Sequence, residues 1–375
     1  MTDYEYLIHL LYCQVHGTDP LEKSGEVSFE SVLALGKIHE VANIAYLSVE
    51  KLKCKPDEDI LNRWQLAYYF SVQRDIRQKA AYEEIKAALH KNGIRTLEAQ
   101  GTITKTLYPS SELRMMSDID FVIDFDKQQE AEEIMRSLGY EIKRLKDSEF
   151  SAKKGEILIE MHTDFFEEFM YNRRERFSDA LNSPFDYAAP DSVDKLSYKL
   201  SDTYFYLYSI LHIIKHFETT GCGIRRILDI YYLKKAYEGK TDNDVIERVI
   251  NENGFKKSRD TLFALEALWF ENTPSDLDLS EAIRDVIFSG NHGNGEIFTR
   301  NNVRKDKAQG VKMPKIKRVL SFIFPKREYI YLGYPELRER GYSLFRCQLY
   351  RIGKTLRRFS FSHAVKYIKT VLFSR

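Results

Sequence analysis

Cysteine is scarce in this chain of 375 residues, and its four copies, Cys13, Cys54, Cys222 and Cys347, stand far apart with no CxxC pair. Such spacing fits neither a zinc finger nor a disulfide framework. The sequence therefore predicts four free thiols, which are typical of proteins in a reducing compartment such as the cytoplasm.

Long apolar runs are also missing. No stretch approaches the roughly 18 consecutive apolar residues of a membrane-spanning helix, because Lys, Arg or Glu interrupts each candidate within a few positions. The stretch MTDYEYLIHLLYCQVHG carries an acidic residue where a secretion signal requires positive charge, and it has no small-residue cleavage site. Both observations predict a cytoplasmic protein that neither enters the secretory route nor crosses a membrane.

A net charge of either sign is nearly absent, since 57 Lys and Arg face 56 Asp and Glu. The total hides an asymmetry, because residues 300–375 hold 20 basic and 4 acidic side chains, whereas the rest of the chain holds 37 and 52. Two interpretations remain open: the basic tail docks on the acidic body, or it binds a polyanion such as anionic lipid at the inner face of a membrane. The acidic body argues against nucleic acid as a partner.

Hydrophobic periodicity divides the chain into four segments. Apolar side chains three and four residues apart predict a helical leader over residues 1–84 and a helical domain over 189–295, with helix returning from about Asp191. Short alternating runs between them, over residues 85–188, are typical of strands. Residues 296–375 form a basic, aromatic tail. The predicted fold is α+β, with a small mixed sheet flanked by helical regions on both sides.

Acidic side chains share one face of a predicted strand, DIDFVIDF. Alternation places Asp118, Asp120 and Asp124 opposite an apolar face that ends at Phe125, and a second strand, GEILIEMH, places Glu160 beside His162 in the same way. Carboxylates at this spacing on neighbouring strands can share divalent cations, and Mg²⁺ binds through such oxygens together with substrate phosphates. The predicted catalytic and metal-binding residues, for one or two Mg²⁺ ions, are Asp118, Asp120 and Glu160, and Glu160 is also a candidate base toward an acceptor hydroxyl.

An Asp-x-Asp pair on a half-buried strand is also compatible with a solvated face that has no function. Two observations favour catalysis: a Gly-containing turn, Gln100-Gly101-Thr102, precedes the pair, and a helix separates the pair from Glu160. This order of turn, strand, helix and strand resembles the polymerase-beta-like nucleotidyltransferases.

A set of short motifs in a fixed order makes the resemblance more specific. The set consists of Gly101, Leu107-Tyr108-Pro109, Arg114, Met116, Asp118-Ile119-Asp120, Leu138-Gly139-Tyr140 and Ile159-Glu160-Met161-His162, followed by His212, His216 and Asp229. It resembles an uncharacterised bacterial nucleotidyltransferase-like family that is often found in polysaccharide and surface-glycan gene neighbourhoods. The resemblance spans about residues 85–235. It implies Mg²⁺-dependent transfer of a nucleotidyl group from a nucleoside triphosphate to an unknown small-molecule, glycan or protein acceptor.

The resemblance also implies a nucleotide-binding set of Gly101, Thr102, Lys105 and Arg114. Arg114 is expected to clamp a phosphate, or else to form a surface salt bridge with Glu112 or Asp118. One departure is that Gln100 stands where the family has lysine, which removes a charge-assisted phosphate contact unless Lys105 or Arg114 replaces it. The first alternative function is therefore a catalytically silent nucleotide- or partner-binding module, and the second is a membrane-surface scaffold in glycan assembly that acts through the basic tail.

The helical part carries two further features of open interpretation. His212 and His216 stand one helical turn apart, which suits a metal ion, but packing is favoured because HIIKH lacks the glutamate of the zincin motif. Asp229 is expected to pair with Arg225 or Arg226.

Overall fold

The computed structural model describes residues 1–98, 100–146, 149–164, 184–293 and 341–358, together with a few isolated positions between 297 and 337. Helices make up most of this part of the chain, and a seven-stranded mixed sheet lies in its middle. The predicted α+β fold is thereby confirmed.

Helices precede, interrupt and follow the sheet. The first group is α1 Asp3–His16, α2 Phe29–Ile38, α3 Ala42–Val49 and α4 Glu58–Lys91, and within the sheet region lie α5 Gln100–Thr106 and α6 Gln128–Ser137. The strands are β1 Thr96–Glu98, β2 Ile119–Val122, β3 Glu141–Lys146, β4 Glu149–Lys154, β5 Ile157–His162, β6 Ala188–Pro190 and β7 Ser197–Leu200. The last group is α7 Asp202–Glu218, α8 Ile224–Tyr237, α9 Asn243–Glu252, α10 Lys256–Phe270, α11 Ser280–Ser289 and, in the tail, α12 Leu344–Arg358.

Local sequence signals set several helix ends. Thr2 and Glu5 form a capping box at the start of α1, in which the Thr2 backbone N–H donates to Glu5 Oε2 at 2.7 Å. Ser28 caps α2 with its hydroxyl oxygen. Gly93 follows α4 with a φ of +72°, the left-handed conformation that commonly terminates a helix. α4 therefore ends at this turn.

The strands are arranged in the order β3-β4-β5-β2-β1-β7-β6. β2 runs parallel to β5 and β1 runs parallel to β7, while the other neighbours are antiparallel. In the register of β2 and β5, Asp120 lies opposite Glu160 and Val122 lies opposite His162. The prediction that the two acidic strands are neighbours is therefore confirmed.

The structure corrects the predicted strand ends. The strand predicted through Phe125 ends at Val122, and Phe125 lies in a turn that leaves it 66% exposed. The helix predicted from about Asp191 begins instead at Asp202, because residues 197–200 form β7 beside β1. Pairing with a sheet edge outweighs local helical periodicity there. The charged segment before β5, whose structure the sequence did not indicate, forms the antiparallel pair of β3 and β4.

The two faces of the sheet pack against different helices. On one face, Phe121 and Met161 join Tyr82 and Ile85 of α4 and Met135 of α6 in one apolar cluster. The rings of Tyr82 and Phe121 stack with centroids 4.9 Å apart. α4 and α6 cover this apolar face. Because side chains alternate along a strand, the acidic side chains of β2 and β5 lie on the opposite face.

The helices before and after the sheet share one apolar core. Leu7 and Trp64 from the first group belong to the same buried cluster as Ile227 and Leu265 from the last group. His16 Nε2 lies 2.7 Å from the carbonyl oxygen of Phe270, which joins the ends of α1 and α10. The division of the chain into four segments stays a prediction, but the leader and the helical domain pack together.

The tail is described only in part, so the predicted docking of its basic surface lies largely outside the described residues. In α12, Cys347 is buried beside Ile330 and Leu337. The four cysteines are free, as the sequence predicted. Among the residues that the structure describes, no helix has both the length and the apolarity needed to cross a bilayer.

Candidate active site

Asp120, Glu160 and His162 meet on the sheet face that α4 leaves uncovered. His162 Nε2 lies 3.3 Å from Asp120 Oδ1 and 3.7 Å from Glu160 Oε2. One ligand atom from each of the three residues lies within 4.8 Å of the others, and all three side chains are partly buried. Two carboxylates and an imidazole in this arrangement are a donor set that can hold a divalent metal ion.

Asp118 enters the site from the segment just before β2. Arg74 of α4 holds this segment, because its Nε and Nη2 donate to the carbonyl oxygens of Met116 and Ser117 at 2.8 and 2.9 Å. Asp118 stands two residues before Asp120, but it is not part of the three-residue cluster within 4.8 Å. The structure thus brings together two of the three predicted metal ligands and adds His162 to them.

Several acidic side chains lie close together on a partly buried surface, which shifts the pKa values of the groups in the site. Burial and then the neighbouring Asp120 raise the pKa of Asp118. Burial, followed by the charges of Asp118 and Asp120, raises the pKa of Glu160. Burial alone would lower the pKa of His162, but its hydrogen bond and charge interaction with Asp120 raise it. A bound cation would relieve this repulsion among the carboxylates.

The third aspartate of the predicted face, Asp124, belongs elsewhere. It follows β2 and accepts two hydrogen bonds from the guanidinium of Arg95, at 2.6 and 2.7 Å. That guanidinium also stands 4.0 Å from the ring centroid of Phe185. Asp124 is therefore part of a structural ion pair.

The predicted Gly101-Thr102 turn lies directly against the acidic cluster. A Cβ atom at Gly101 would stand 3.8 Å from Asp120 Oδ2 and only 2.9 Å from Met116 Sδ. Glycine therefore lets the start of α5 approach β2 this closely. The hydroxyl of Thr102 is buried and has no hydrogen-bond partner within the described part of the chain. Gly101 therefore lies within reach of a ligand bound at the acidic cluster.

The charged end of Lys105 points into the protein. Its Nζ lies 2.5 Å from Asp75 Oδ1, and both side chains are 6% exposed. Asp75 also pairs with Lys79 at 2.9 Å and accepts a hydrogen bond from the Ser111 hydroxyl at 2.7 Å. Lys105 therefore fastens α5 to α4, and its contact with a nucleotide stays a prediction.

Arg114 is buried in an ion pair with Asp229 of α8. Its Nε and Nη2 donate to Asp229 Oδ1 and Oδ2 at 2.7 and 2.9 Å, and the Tyr108 hydroxyl donates to Oδ1 at 2.8 Å. The predicted surface salt bridge of Arg114 is wrong, and so is the predicted pairing of Asp229 with Arg225 or Arg226. The two chain segments are distant in sequence, and only the fold brings them together. A phosphate contact by Arg114 stays a prediction.

Two further hydrogen bonds hold the turn at Gln100 and Gly101 in place. Arg114 Nη1 donates to the Gly101 carbonyl oxygen at 3.3 Å, so the buried pair also braces the turn. Gln100 is 4% exposed and donates through Nε2 to the Ser209 carbonyl oxygen at 3.3 Å. The side chain at this position therefore packs against α7.

Glu40 joins four parts of the chain beside the site, a role that no sequence pattern indicated. It has a φ of +55°, which is unusual for a residue with a side chain. Its carboxylate accepts hydrogen bonds from Arg225 and from Asn291 Nδ2, the latter at 2.6 Å, and lies 3.1 Å from His292 Nε2. The Ser117 hydroxyl, next to Asp118, donates to it at 3.4 Å.

Replacing Glu40 with glutamine should destabilise the protein at neutral pH and have little effect at strongly acid pH. Burial alone would raise the pKa of Glu40, but the charge of Arg225 and the contacts with His292 lower it from 4.5 to about 2. Because the folded pKa is below the unfolded one, the stabilisation is complete above about pH 5 and is lost as the pH falls toward 2. We expect Glu40→Gln to lower the free energy of unfolding at pH 7 by about 3 kcal/mol.

The measurement is urea unfolding of both proteins at pH 7, 5, 3 and 2, with Glu30→Gln as the control because Glu30 forms an exposed pair with Arg63. The difference between wild type and Glu40→Gln should shrink below pH 5. A constant difference from pH 7 to pH 2 would contradict the assignment.

Most of the chain matches a known protein family. A sequence profile described as "Uncharacterised nucleotidyltransferase" matches residues 25–271, well over half of the chain. The chain belongs to this nucleotidyltransferase family. The resemblance drawn from the short motifs is thereby confirmed, and the profile covers every predicted site residue.

Other comparisons add little to the family assignment. A solution structure of the antibiotic-resistance factor ANT(2'')-Ia matches with 14% sequence identity and a TM-score of 0.36, and the match covers 50% of this chain and 96% of that chain. No curated protein matches the chain.

Proposed function

We propose that this member of the nucleotidyltransferase family transfers a nucleotidyl group from a nucleoside triphosphate to an acceptor hydroxyl. The observation that carries the proposal is the placement of Asp120 opposite Glu160 on neighbouring parallel strands, with His162 within ligand distance of both. Asp118, two residues earlier, adds a third carboxylate to the same side. Family membership supports nucleotidyl transfer in general.

A divalent cation fits the residues present. The mutual repulsion that raises the pKa of Asp118 and Glu160 is the condition under which a bound cation stabilises a site. Asp118, Asp120 and Glu160 would hold the ion, as the sequence predicted, and His162 is a further ligand. A bound ion would neutralise the phosphate oxygens of the substrate. Because imidazole suits transition-metal ions such as Zn²⁺ better than Mg²⁺, Mg²⁺ is one of several ions to be tested.

The protein's own residues have distinct roles in the proposed reaction. The acceptor oxygen forms a bond with the α-phosphorus, the bond from that phosphorus to the β-phosphate oxygen breaks, and pyrophosphate leaves. Glu160 accepts the proton of the acceptor hydroxyl as the general base. The unpartnered Thr102 hydroxyl donates to a phosphate oxygen beside Gly101. Lys105 and Arg114 position the turn between these groups.

A catalytically silent binding module is the alternative that the structure favours most. The side chains of Gln100, Lys105 and Arg114 all bond to other parts of the protein, so none of them is free to hold a phosphate without giving up a contact. Such a module would bind a triphosphate at the carboxylates without releasing pyrophosphate. Turnover, not binding, separates the two functions.

The acceptor and the cellular site are proposed from the resemblance alone. A glycan or another polar hydroxyl compound in surface-polysaccharide synthesis is the proposed acceptor class, in the cytoplasm of a bacterial cell. The basic tail would hold the protein at an anionic membrane, with 20 basic side chains against 4 acidic ones over residues 300–375.

Calorimetry with ATP, GTP, CTP and UTP, each with Mg²⁺, with Mn²⁺ and without metal, tests the first step. We expect one triphosphate to bind only with a divalent ion, and we expect pyrophosphate release when polyols and sugars are screened as acceptors. Binding without pyrophosphate release for any acceptor would favour the silent module. If a folded protein bound no triphosphate under any condition, the proposed function would be wrong.

A further inference from the structure

Arg226, in the first turn of α8, is a charged residue that the reaction described above does not use. Its Nε is buried without a hydrogen-bond partner, and its guanidinium forms no ion pair with any residue that the structure describes. The preceding residue behaves differently, because Arg225 bonds to Glu40 and to the Met115 carbonyl oxygen. Arg226 is thus a partly buried cation without the carboxylate that normally accompanies one.

Three physical effects work against a cation at this position. Burial, and then the charge of Arg225, lower the pKa of Arg226 from 12.5 to about 10. The third effect is the helix dipole, since the N-terminal turn of a 14-residue helix carries partial positive charge and favours anions over cations. An anion bound here would relieve all three effects at once.

The first turn of α8 lies beside the segment that carries Asp118. Arg225, the residue before Arg226, donates to the carbonyl oxygen of Met115, three residues before Asp118. In agreement with this placement, the charge of Arg226 favours a lower pKa of Asp118.

The turn at Gly101 contacts both α8 and α7. Asp229, one helical turn after Arg226, bonds to Arg114, which donates to the Gly101 carbonyl oxygen. On the α7 side, Gln100 donates to the Ser209 carbonyl oxygen. The charge of Arg226 also acts on His212 and His216 of α7, whose pKa values it lowers.

His212 and His216 are a pair of imidazole rings on α7 that bond to each other. Their Nε2 atoms are 3.0 Å apart, so one imidazole donates a hydrogen bond to the other. Burial is the first cause of the low pKa of both rings. A metal ion shared by the two rings is disfavoured, because the cation of Arg226 is adjacent and the described residues supply no third ligand.

We infer that Arg226, together with His212 and His216, binds the β- and γ-phosphates of the triphosphate and retains the pyrophosphate group as it leaves. The inference rests on the proposed function and names the residues that hold the leaving group. A guanidinium presents paired donors that match phosphate oxygens, and the bond is strongest where water is excluded. Because the first turn of α8 contacts the segment just before Asp118, one polyphosphate would bridge the metal ligands and α8.

Two other polar side chains near the Gly101 turn already bond within the protein. The side chain at Gln100 packs against α7, and Lys105 is held by Asp75. Because both side chains already have partners, the phosphate contact comes from Arg226 on α8 and not from the turn at Gly101.

Calorimetry with inorganic tripolyphosphate tests the inference, because this probe has the phosphates without base or ribose. The proteins are wild type, Arg226→Gln, Arg226→Lys, Asp120→Asn and the control Arg248→Gln, whose arginine is exposed on α9. Each is measured with and without Mg²⁺, and ATP, GTP, CTP and UTP are measured in parallel. We expect Arg226→Gln to bind tripolyphosphate at least about tenfold more weakly than wild type, Arg226→Lys to recover part of the loss, and Arg248→Gln to match wild type.

The outcomes separate this inference from the proposed function. Equal tripolyphosphate affinity in Arg226→Gln and wild type overturns it, and so does a wild type that binds no tripolyphosphate, whatever the nucleotides do. Binding of tripolyphosphate through Arg226 without binding of any nucleotide supports the phosphate site and contradicts the proposed function. A thermal melt shows whether each variant is folded. If Arg226→Gln does not fold, His212→Asn and Arg226→Lys are compared with wild type instead. Tripolyphosphate affinity equal to that of wild type in both variants then overturns the inference.

Discussion

Replacing Asp120 with asparagine should abolish metal-dependent binding of the triphosphate and reduce nucleotidyl transfer by about 10³-fold. Asp120 is a central carboxylate of the cluster, because it lies opposite Glu160 in the sheet register and 3.3 Å from His162. Asparagine has the same shape but no charge, so the ion would lose several kcal/mol of electrostatic stabilisation, and each 1.4 kcal/mol in the barrier changes the rate about tenfold. Calorimetry with the triphosphate and the divalent ion, followed by a pyrophosphate-release assay, measures both effects.

Asp126→Asn is the matched control for this prediction. Asp126 is exposed just after β2, outside the cluster, and its replacement changes the net charge by the same amount. We expect this variant to bind and turn over substrate like wild type. Equal metal-dependent binding by Asp120→Asn and Asp126→Asn would place the metal elsewhere.

Replacing Arg114 with methionine should lower the free energy of unfolding by about 3–5 kcal/mol. The variant removes two guanidinium hydrogen bonds to the carboxylate of Asp229, which is fully buried. Among the described residues, the Tyr108 hydroxyl remains as its side-chain donor. An uncompensated buried charge is far more destabilising than the absence of the pair. Urea unfolding at pH 7 gives the value.

Two comparisons sharpen that measurement. The double variant Arg114→Met/Asp229→Leu should be more stable than Arg114→Met, because it removes the orphaned charge together with its partner. Arg77→Met should cost at most about 1 kcal/mol, since the Arg77–Glu156 pair is exposed to solvent. If Arg77→Met and Arg114→Met lowered the free energy of unfolding by similar amounts, the buried pair would contribute no more to stability than the exposed pair.

The Arg114–Asp229 pair also links stability to the site. Through Arg114 Nη1 it contacts the Gly101 carbonyl oxygen, and Gly101 lies against Asp120. A chain that retains its fold after Arg114→Met should therefore show weaker binding at the cluster. The same buried network thus holds the helical domain and the proposed phosphate-binding turn together.

The sequence alone determined the fold class and the side of the strands on which the acids lie. Alternation within DIDFVIDF and GEILIEMH was sufficient to place Asp120 and Glu160 on one face, because side chains in a strand alternate whatever surrounds it. The helical periodicity of the leader is equally local, and the helix at Glu58–Lys91 agrees with it. The order of the short motifs indicated the family.

Tertiary structure decided which charged residues are free. Lys105, Arg114 and Asp229 all looked available or locally paired in the sequence, yet their partners come from segments 30 or more residues away. The strand at 197–200 likewise exists because β1 offers an unpaired edge. Long-range pairing of buried charges and strand edges depends on which surfaces meet, and periodicity within one segment carries no information about that. For the same reason only the fold showed Arg226 as a buried cation without a described partner, although the Arg-Arg pair in GIRRILD is plain in the sequence.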